Sequence, residues 1–319
     1  MDDAEGYAAL ANCFSEHVHG ERPFCRQRIE QDWGYPNISP QSNIRIVENE
    51  GGEPVGGAEL WDDGVPPVAL WALGFVHPEH TNHGIGSALL TWLEERGREA
   101  IPRCPYDARV VLQLRVLSGH SPSEQLVAEH GFELHRHVWR MEIEFGAPPN
   151  PMALPEGIEL RPYRHDEDLP AVLRADYEAF EDHWGYVEQP EETLLEQWQH
   201  WIATKDDFDP ALWHIAYDGD EIAGVCLSSF KSPYNEQHGY VNTLAVRRPW
   251  RRRGLAIALL QRAFVKFVEV GRSGAALHVD AANTTGATKL YEKAGMHVAQ
   301  QYDWYEKQLR SGRSLMNAG

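Results

Sequence analysis

Along this chain, stretches whose apolar residues recur every three or four positions alternate with shorter runs that are apolar at every second position or throughout. The first spacing gathers apolar side chains on one face of a helix; the second suits strands buried on one or both sides. In the second half, "GIELRPY" (157–163) predicts a strand. "DEDLPAVLRADYEAFEDH" (166–183) and "EETLLEQWQHWIATK" (191–205) predict two helices, the first behind an acidic start. "LWHIAYDGDEIAGVCLSSF" (212–230) is two apolar runs around Asp218-Gly219-Asp220, residues that tolerate left-handed turn geometry, and predicts a hairpin. Then follow a strand in "YVNTLAV" (240–246), a helix in "GLAIALLQRAFVKFVEV" (254–270), a buried strand in "GAALHVDA" (274–281), a short helix in "TTGATKLYEKAG" (284–295) and one or two strands in "MHVAQQYDWYEKQL" (296–309).

The first half repeats this order in looser wording. Helical "DDAEGYAALANCF" leads through "CRQRIEQDW" to strands "NIRIVEN", "VGGAELW" and "VALWALGFV", helix "GIGSALLTWLEERG", strand "ARVVLQLRV", helix "SPSEQLVAEHG" and strand "HVWRMEIEF". No strand precedes its first helix. Between the halves, "FGAPPNPMALPEG" (145–157) breaks the alternation with prolines and glycines and reads as a linker. A tandem duplication of one domain accounts for the pattern, with domains expected over 1–146 and 155–319.

Each half carries a glycine loop between a strand and a helix: "HPEHTNHGIGSALL" (77–90) and "RRPWRRRGLAIALL" (247–260). A helix opened by such a loop presents unpaired backbone N–H groups at the positive end of its dipole, which suits a phosphate or pyrophosphate. By itself a glycine at such a junction is as readily turn chemistry. The second loop adds Arg251, Arg252 and Arg253 directly before Gly254, in an otherwise acidic chain. No Gly-Lys-Ser/Thr follows, so it is not a nucleotide P-loop. Hairpins rather than a βαβ unit precede it, which disfavours a dinucleotide-binding fold.

"VRRPWRRRGLAIALL", followed by "HVDAANTTGATKLYEKAGM", resembles the acetyl-CoA-binding signature of the GNAT superfamily of N-acetyltransferases. The duplicated layout resembles the tandem members of that superfamily, the mycothiol synthases among them. The resemblance implies an α/β (α+β) fold of two tandem GNAT-like domains, each a mixed, mostly antiparallel sheet flanked by helices. It further implies an acetyl-CoA-dependent N-acetyltransferase whose C-terminal domain acts on the primary amine of a small molecule. A catalytically silent acyl-CoA-binding or scaffold protein is the competing possibility.

The same resemblance distributes roles. Arg251, Arg252, Arg253, Gly254, Leu255 and Ala256 match the pyrophosphate loop, and Asn283 matches the position that touches the cofactor arm. Leu244, Ala245 and Val246 would offer main-chain groups to that arm where their strand parts from "GAALHVDA". Tyr291 falls where these enzymes keep the acid that protonates the leaving thiolate, although a core tyrosine could equally stand there. Acyl transfer needs a deprotonated amine. Asn242, the inward residue of the central strand, cannot take a proton; the candidates are Glu236 and His238 just upstream, acting through water, while an amine that arrives partly deprotonated needs little help. "FEDHWGY" (180–186) stands where the superfamily forms its acceptor pocket. Asp182, His183, Trp184 and Tyr186, with Asn242, are the candidate acceptor contacts, against a plain helix end capped by Gly185. In the first copy Gly84 and Gly86 keep the loop glycines, but Thr81 replaces Arg251, Val127 stands opposite Tyr291 and Gly119 opposite Asn283. That copy is expected not to turn over; it could still hold a second, non-catalytic acetyl-CoA.

Composition narrows the partners. A formal charge of −19 over 319 residues makes nucleic acid a poor one and suits a cationic small molecule. No apolar run reaches bilayer length, and the acidic start lacks the form of a secretory signal, so a cytoplasmic monomer or homodimer without membrane attachment is expected. Cys13, Cys25, Cys104 and Cys226 lack metal or disulfide spacing, and His77, His80 and His83 lack carboxylate support, so no metal is expected.

Overall fold

A computed structural model describes residues 3–147, 149–283 and 285–318; Asp2 of the first predicted helix, Pro148 of the linker and Thr284, the first residue of the predicted short helix, lie outside the described residues. In chain order the elements are α1 (Asp3–His19), α2 (Arg26–Trp33), the single turn α3 (Pro40–Asn43), β1 (Ile44–Glu48), β2 (Pro54–Trp61), β3 (Ala69–Val76), α4 (Ile85–Arg98), β4 (Val110–Leu117), α5 (Ser121–Glu129) and β5 (Glu133–Glu144). The second series is β6 (Ile158–Arg161), α6 (His165–Phe180), α7 (Glu191–Thr204), β7 (Trp213–Asp218), β8 (Glu221–Ser229), β9 (His238–Val246), α8 (Leu255–Glu269), β10 (Gly274–Asp280), α9 (Ala287–Lys293) and β11 (His297–Arg310). Every predicted element is present, and "MHVAQQYDWYEKQL" forms one long strand.

The chain packs as two units. One comprises Met1–His137 with Tyr302–Met316, the other Val138–Gln301 with Asn317–Gly319. In the first, the strands run β1-β2-β3-β4 and then the C-terminal part of β11, which pairs antiparallel with β4 from Tyr302↔Leu117 to Arg310↔Val110. In the second, the C-terminal part of β5 pairs antiparallel with β10, and β9, β8, β7 and β6 follow. The contacts therefore cut across the expected division at 146 and 155, because each series contributes its last strand to the other unit's sheet. Periodicity marks a strand's buried face but not its neighbour.

Both sheets are antiparallel except at one place each, β3 with β4 and β9 with β10. These parallel pairs are short. Ala69–Ala72 faces Val111–Leu114, and Gly274–Ala276 faces His238–Tyr240; beyond these residues the strands part.

In the second unit α8 covers one face of the sheet with Leu255, Leu259, Leu260, Ala263, Phe264 and Phe267, all fully buried. Burying a side chain of that size contributes roughly 1.5–3 kcal/mol. Gly239 lies under Phe267, whose ring stands 2.2 Å from where a Cβ would be. α6 and α7 cover the opposite face through Leu169, Val172, Leu173, Ala179 and Ile202, packed on Val225, Leu227 and Ala245. The first unit buries α1 through Tyr7, Leu10 and Ala11 against Phe75 of β3. Among the described residues no helix is long and apolar enough to cross a membrane, and no cluster of three or more His, Cys, Asp or Glu could hold a metal ion.

Candidate active site

Where β9 and β10 part, a cleft of about 670 Å3 opens in the second unit. Val241–Val246 and Leu277–Asp280 form its walls, the turn from Trp250 to Ile257 closes one end, and Asn283, Leu290 and Tyr291 flank it. Ala179, Phe180, Asp182 and His183 at the end of α6 complete it. β9 still pairs with β8 on its other side. Its cleft-facing edge and that of β10 thus carry main-chain donors and acceptors with no ladder partner, available to an extended ligand.

The turn at the closed end owes its shape to two residues in the left-handed region, Arg252 (φ 62) and Gly254 (φ 84). Gly254 opens α8, whose first N–H groups have no partner within the helix, and Gly254, Leu255, Ala256 and Ile257 line the cleft. The first unit repeats this backbone, with Asn82 at φ 62 and Gly84 at φ 78 opening α4. Gly86 has a packing reason of its own, since a Cβ there would stand 2.7 Å from Leu126.

The three arginines differ in their engagement. Arg251 donates from Nε to the Val246 carbonyl (3.1 Å), from Nη1 to Asp182 (2.8 Å) and from Nη2 to the Ala179 carbonyl (2.8 Å). It staples the end of α6 to the end of β9. Arg252 is exposed and lines the cleft; Arg253 does not line it and reaches the Glu156 carbonyl at 3.4 Å. Arg253 thus stands outside the cleft that Arg251 and Arg252 line.

Asp182, expected to meet a cationic acceptor, is already met. Arg248 grips it at 2.9 and 2.5 Å and Arg251 at 2.8 Å. The Arg248 and then the Arg251 guanidinium hold its carboxyl far below the usual carboxylate range. Trp184 and Tyr186 do not line this cleft; Tyr186 packs on Tyr177 and accepts at its carbonyl from Asn317 N–H at 2.9 Å. His183 does line it, and burial, then Arg251, lowers its pKa below the ordinary histidine value.

The expected relay through Glu236 or His238 is not met by the geometry. Glu236 is exposed away from the cleft, and its carbonyl accepts from Arg272. His238 is 1% exposed, and its Nε2 lies 2.6 Å from Glu144 Oε1. The reason is chain position: both residues precede the point where β9 leaves β10, Glu236 exposed ahead of the strand and His238 buried where the two strands are still paired.

Tyr291, Asn283 and Asn242 do reach the cleft. Burial, with Cys226 nearby, pushes the Tyr291 phenol well above its ordinary value, so it keeps its proton at neutral pH. Asn283 spends its Oδ1 on the turn into α9, accepting from Thr285 N–H (2.9 Å) and Oγ1 (2.6 Å) and from Ala287 N–H (3.3 Å). Asn242 donates to Ser229 Oγ at 2.8 Å.

Three polar residues at or just behind the cleft, His278, Thr243 and Asp176, were not among the expected ones. His278 lines the cleft and shares a 2.7 Å hydrogen bond with the Tyr240 hydroxyl. Thr243 lines it too, and its Oγ1 donates to Asp176 Oδ1 at 2.8 Å. Burial raises the Asp176 carboxyl to about 6, opposed by the Thr243 bond. A signal existed for Asp176: it is an acidic residue four before Phe180, on the same face of the helix.

In the first unit Val127 is buried where Tyr291 stands in the second, and the Thr81 hydroxyl turns back onto the Pro78 carbonyl at 3.2 Å.

The model of the acetyltransferase (GNAT) family matches residues 7–132 and again 170–296. The chain belongs to this family. It is therefore an N-acetyltransferase, and the double match shows that the family's domain is present in tandem. Proteins described as mycothiol acetyltransferase are similar to it. That of Streptomyces scabiei is 31% identical over 80% of this chain and 77% of its own length, and that of Geodermatophilus obscurus 32% over 77% and 72%. Among solved structures, a GCN5-related N-acetyltransferase from Sphaerobacter thermophilus superposes with TM-score 0.79 at 30% identity, covering 98% of this chain and 95% of that one. A tandem GNAT protein from the clavulanic acid biosynthesis pathway shares the fold, with TM-score 0.68 at 17% identity over 98% and 97% of the two chains.

Proposed function

We propose that the second unit is the catalytic one, binding acetyl-CoA in the cleft between β9 and β10 and acetylating the primary amine of a small molecule. One observation carries this reading: the parted strands, the helix N-terminus with its basic turn, and a protonated tyrosine converge on a single cleft. Acetyl-CoA supplies an activated thioester whose carbonyl an amine attacks and whose thiolate departs. The N–H groups opening α8 and the exposed Arg252 suit the pyrophosphate, and the free edge of Leu244–Val246 suits the pantetheine arm. Arg251 holds that edge in place rather than serving as a loose cation. Tyr291, with its pKa raised by burial, is fit to give a proton to a departing thiolate and unfit to lose one beforehand. The acceptor would enter over Phe180, His183, Asn242 and His278.

The test measures free thiol released from acetyl-CoA across a panel of small amines, for the unsubstituted protein and Tyr291→Phe. Turnover is expected to fall by about 10²–10⁴ in Tyr291→Phe with the KM for acetyl-CoA unchanged. Tight acetyl-CoA binding without thiol release for any amine would instead support the silent acyl-CoA-binding reading.

A further inference from the structure

Acylation of an amine releases a proton that a group near the acyl end of the cleft must take, and neither Glu236 nor His238 stands there. His183 lines the cleft, but it keeps company with Asp182 and Arg251 at the end closed by the basic turn. Four residues before α6 ends at Phe180, about 6 Å back along the helix, Asp176 stands behind Thr243. Thr243 is one residue beyond Asn242 on the stretch of β9 that has parted from β10, and its hydroxyl donates to Asp176 Oδ1 at 2.8 Å.

We propose that Thr243 and Asp176 form a proton relay, in which the Thr243 hydroxyl accepts the proton of the attacking amine as it passes its own to the Asp176 carboxylate. The inference rests on the reading of this cleft as the acetylation site. The balance is complete without any further reactant. The C–N bond forms and the C–S bond breaks; one proton moves from nitrogen to Thr243 Oγ1 and another from that oxygen to Asp176 Oδ1. The thiolate takes the Tyr291 proton, and exchange of Asp176 and Tyr291 with solvent restores both.

The surroundings suit the task. Asp176 is 8% exposed, and burial raises its carboxyl to about 6, so at neutral pH it is ionised yet more basic than an ordinary carboxylate. The elements packed on α6 carry few groups that could compete. β8 has Glu221 and Cys226, β9 His238 and Tyr240, and α7 Glu191, Glu192, Glu196 and His200. On α6 itself Glu178 pairs with Arg247 at 2.8 Å, and beyond its end Asp182 is held by Arg248 and Arg251. None of these is among the causes of the Asp176 shift, which are burial first and the Thr243 bond second. Among the described residues, Thr243 is the hydrogen-bonding route from this carboxylate to the cleft.

The experiment has two arms. In ligand-free protein labelled with 13C at the aspartate carboxyl, the resonance absent from Asp176→Asn is expected to titrate near pH 6 and to move to higher pH in Thr243→Val, which removes the bond that lowers it. Titration in the ordinary carboxylate range, or a midpoint unmoved in Thr243→Val, overturns the relay whatever the protein catalyses. In the kinetic arm, kcat for amine acetylation is expected to fall by about 10²–10³ in Thr243→Val and in Asp176→Asn, with KM for acetyl-CoA unchanged. Thr243→Ser should stay within a few-fold, and the acidic limb of the pH–rate profile near pH 6 should vanish in Asp176→Asn. An acidic limb retained in that variant sinks the relay alone; no acetyl transfer by the unsubstituted protein to any amine sinks the functional reading and the relay together.

Discussion

Replacing Asp176 by asparagine should stabilise this protein at neutral pH, and the gain should depend on pH in a way that packing changes do not. The carboxyl is raised from 3.8 to about 6 by burial, with no charged partner among the causes. Between those two values the folded chain holds a proton that the unfolded chain has released. The unfolded state then binds fewer protons, and stability falls as pH rises through the window. Above pH 6 the loss is constant: a shift of roughly 2.2 units at about 1.36 kcal/mol per unit gives about 3 kcal/mol. Of this, roughly 1.6 kcal/mol is present at pH 5 and about 3 kcal/mol at pH 7.5. Asparagine is neutral throughout, and its Oδ1 can still accept from Thr243, so the variant should escape this loss. Urea denaturation of both proteins at pH 5 and 7.5 measures the difference through the transition midpoint at constant slope. An asparagine variant that is no more stable at pH 7.5, or one whose gain is equal at both pH values, would refute the assignment of a buried, uncompensated carboxylate. A gain would place Asp176 among residues kept at a cost in stability, which is expected of groups that serve chemistry.

Arg251→Ala should weaken acetyl-CoA binding by about 10–100-fold, read by calorimetry, because it removes the bonds that hold the Val246 and Ala179 carbonyls and part of the neutralisation of Asp182. Gly239→Ala should lower stability by roughly 1–3 kcal/mol in chemical denaturation, since its methyl group would meet the buried Phe267 ring. Gly84→Ala and Gly254→Ala should each lose about 1–2 kcal/mol, as both positions are left-handed and otherwise open; only Gly254→Ala is expected also to raise the dissociation constant for acetyl-CoA.

Much of the fold was legible because helix and strand periods are local. The hairpin around Asp218-Gly219-Asp220, the glycine openings of α4 and α8, and the doubling of the whole series follow from residues a few positions apart. The part of the cleft proposed to take acetyl-CoA was legible for the same reason. Gly254, Leu255 and Ala256 are contiguous, Asn283 and Tyr291 sit within one turn and helix, and all five line the cleft. The proposed acceptor side was not. Trp184 and Tyr186 are near Phe180 and His183 in sequence, but the chain leaves the helix after Phe180 and carries them away from the cleft. Asp182 faces it, but Arg248 and Arg251 occupy its carboxylate.

By itself the sequence determined where helices and strands form, that the series occurs twice, and that the second copy alone keeps its arginines, asparagine and tyrosine. Only the tertiary structure decided that β5 closes on β10 and β11 on β4, that His238 is a buried partner of Glu144, and that Thr243 stands between Asp176 and the cleft. The physical reason is range. Backbone propensity and the face of an amphipathic element are set by neighbours within one or two turns. A strand's pairing, a carboxylate's neutralisation and a buried acid's pKa depend on groups that folding brings from far along the chain.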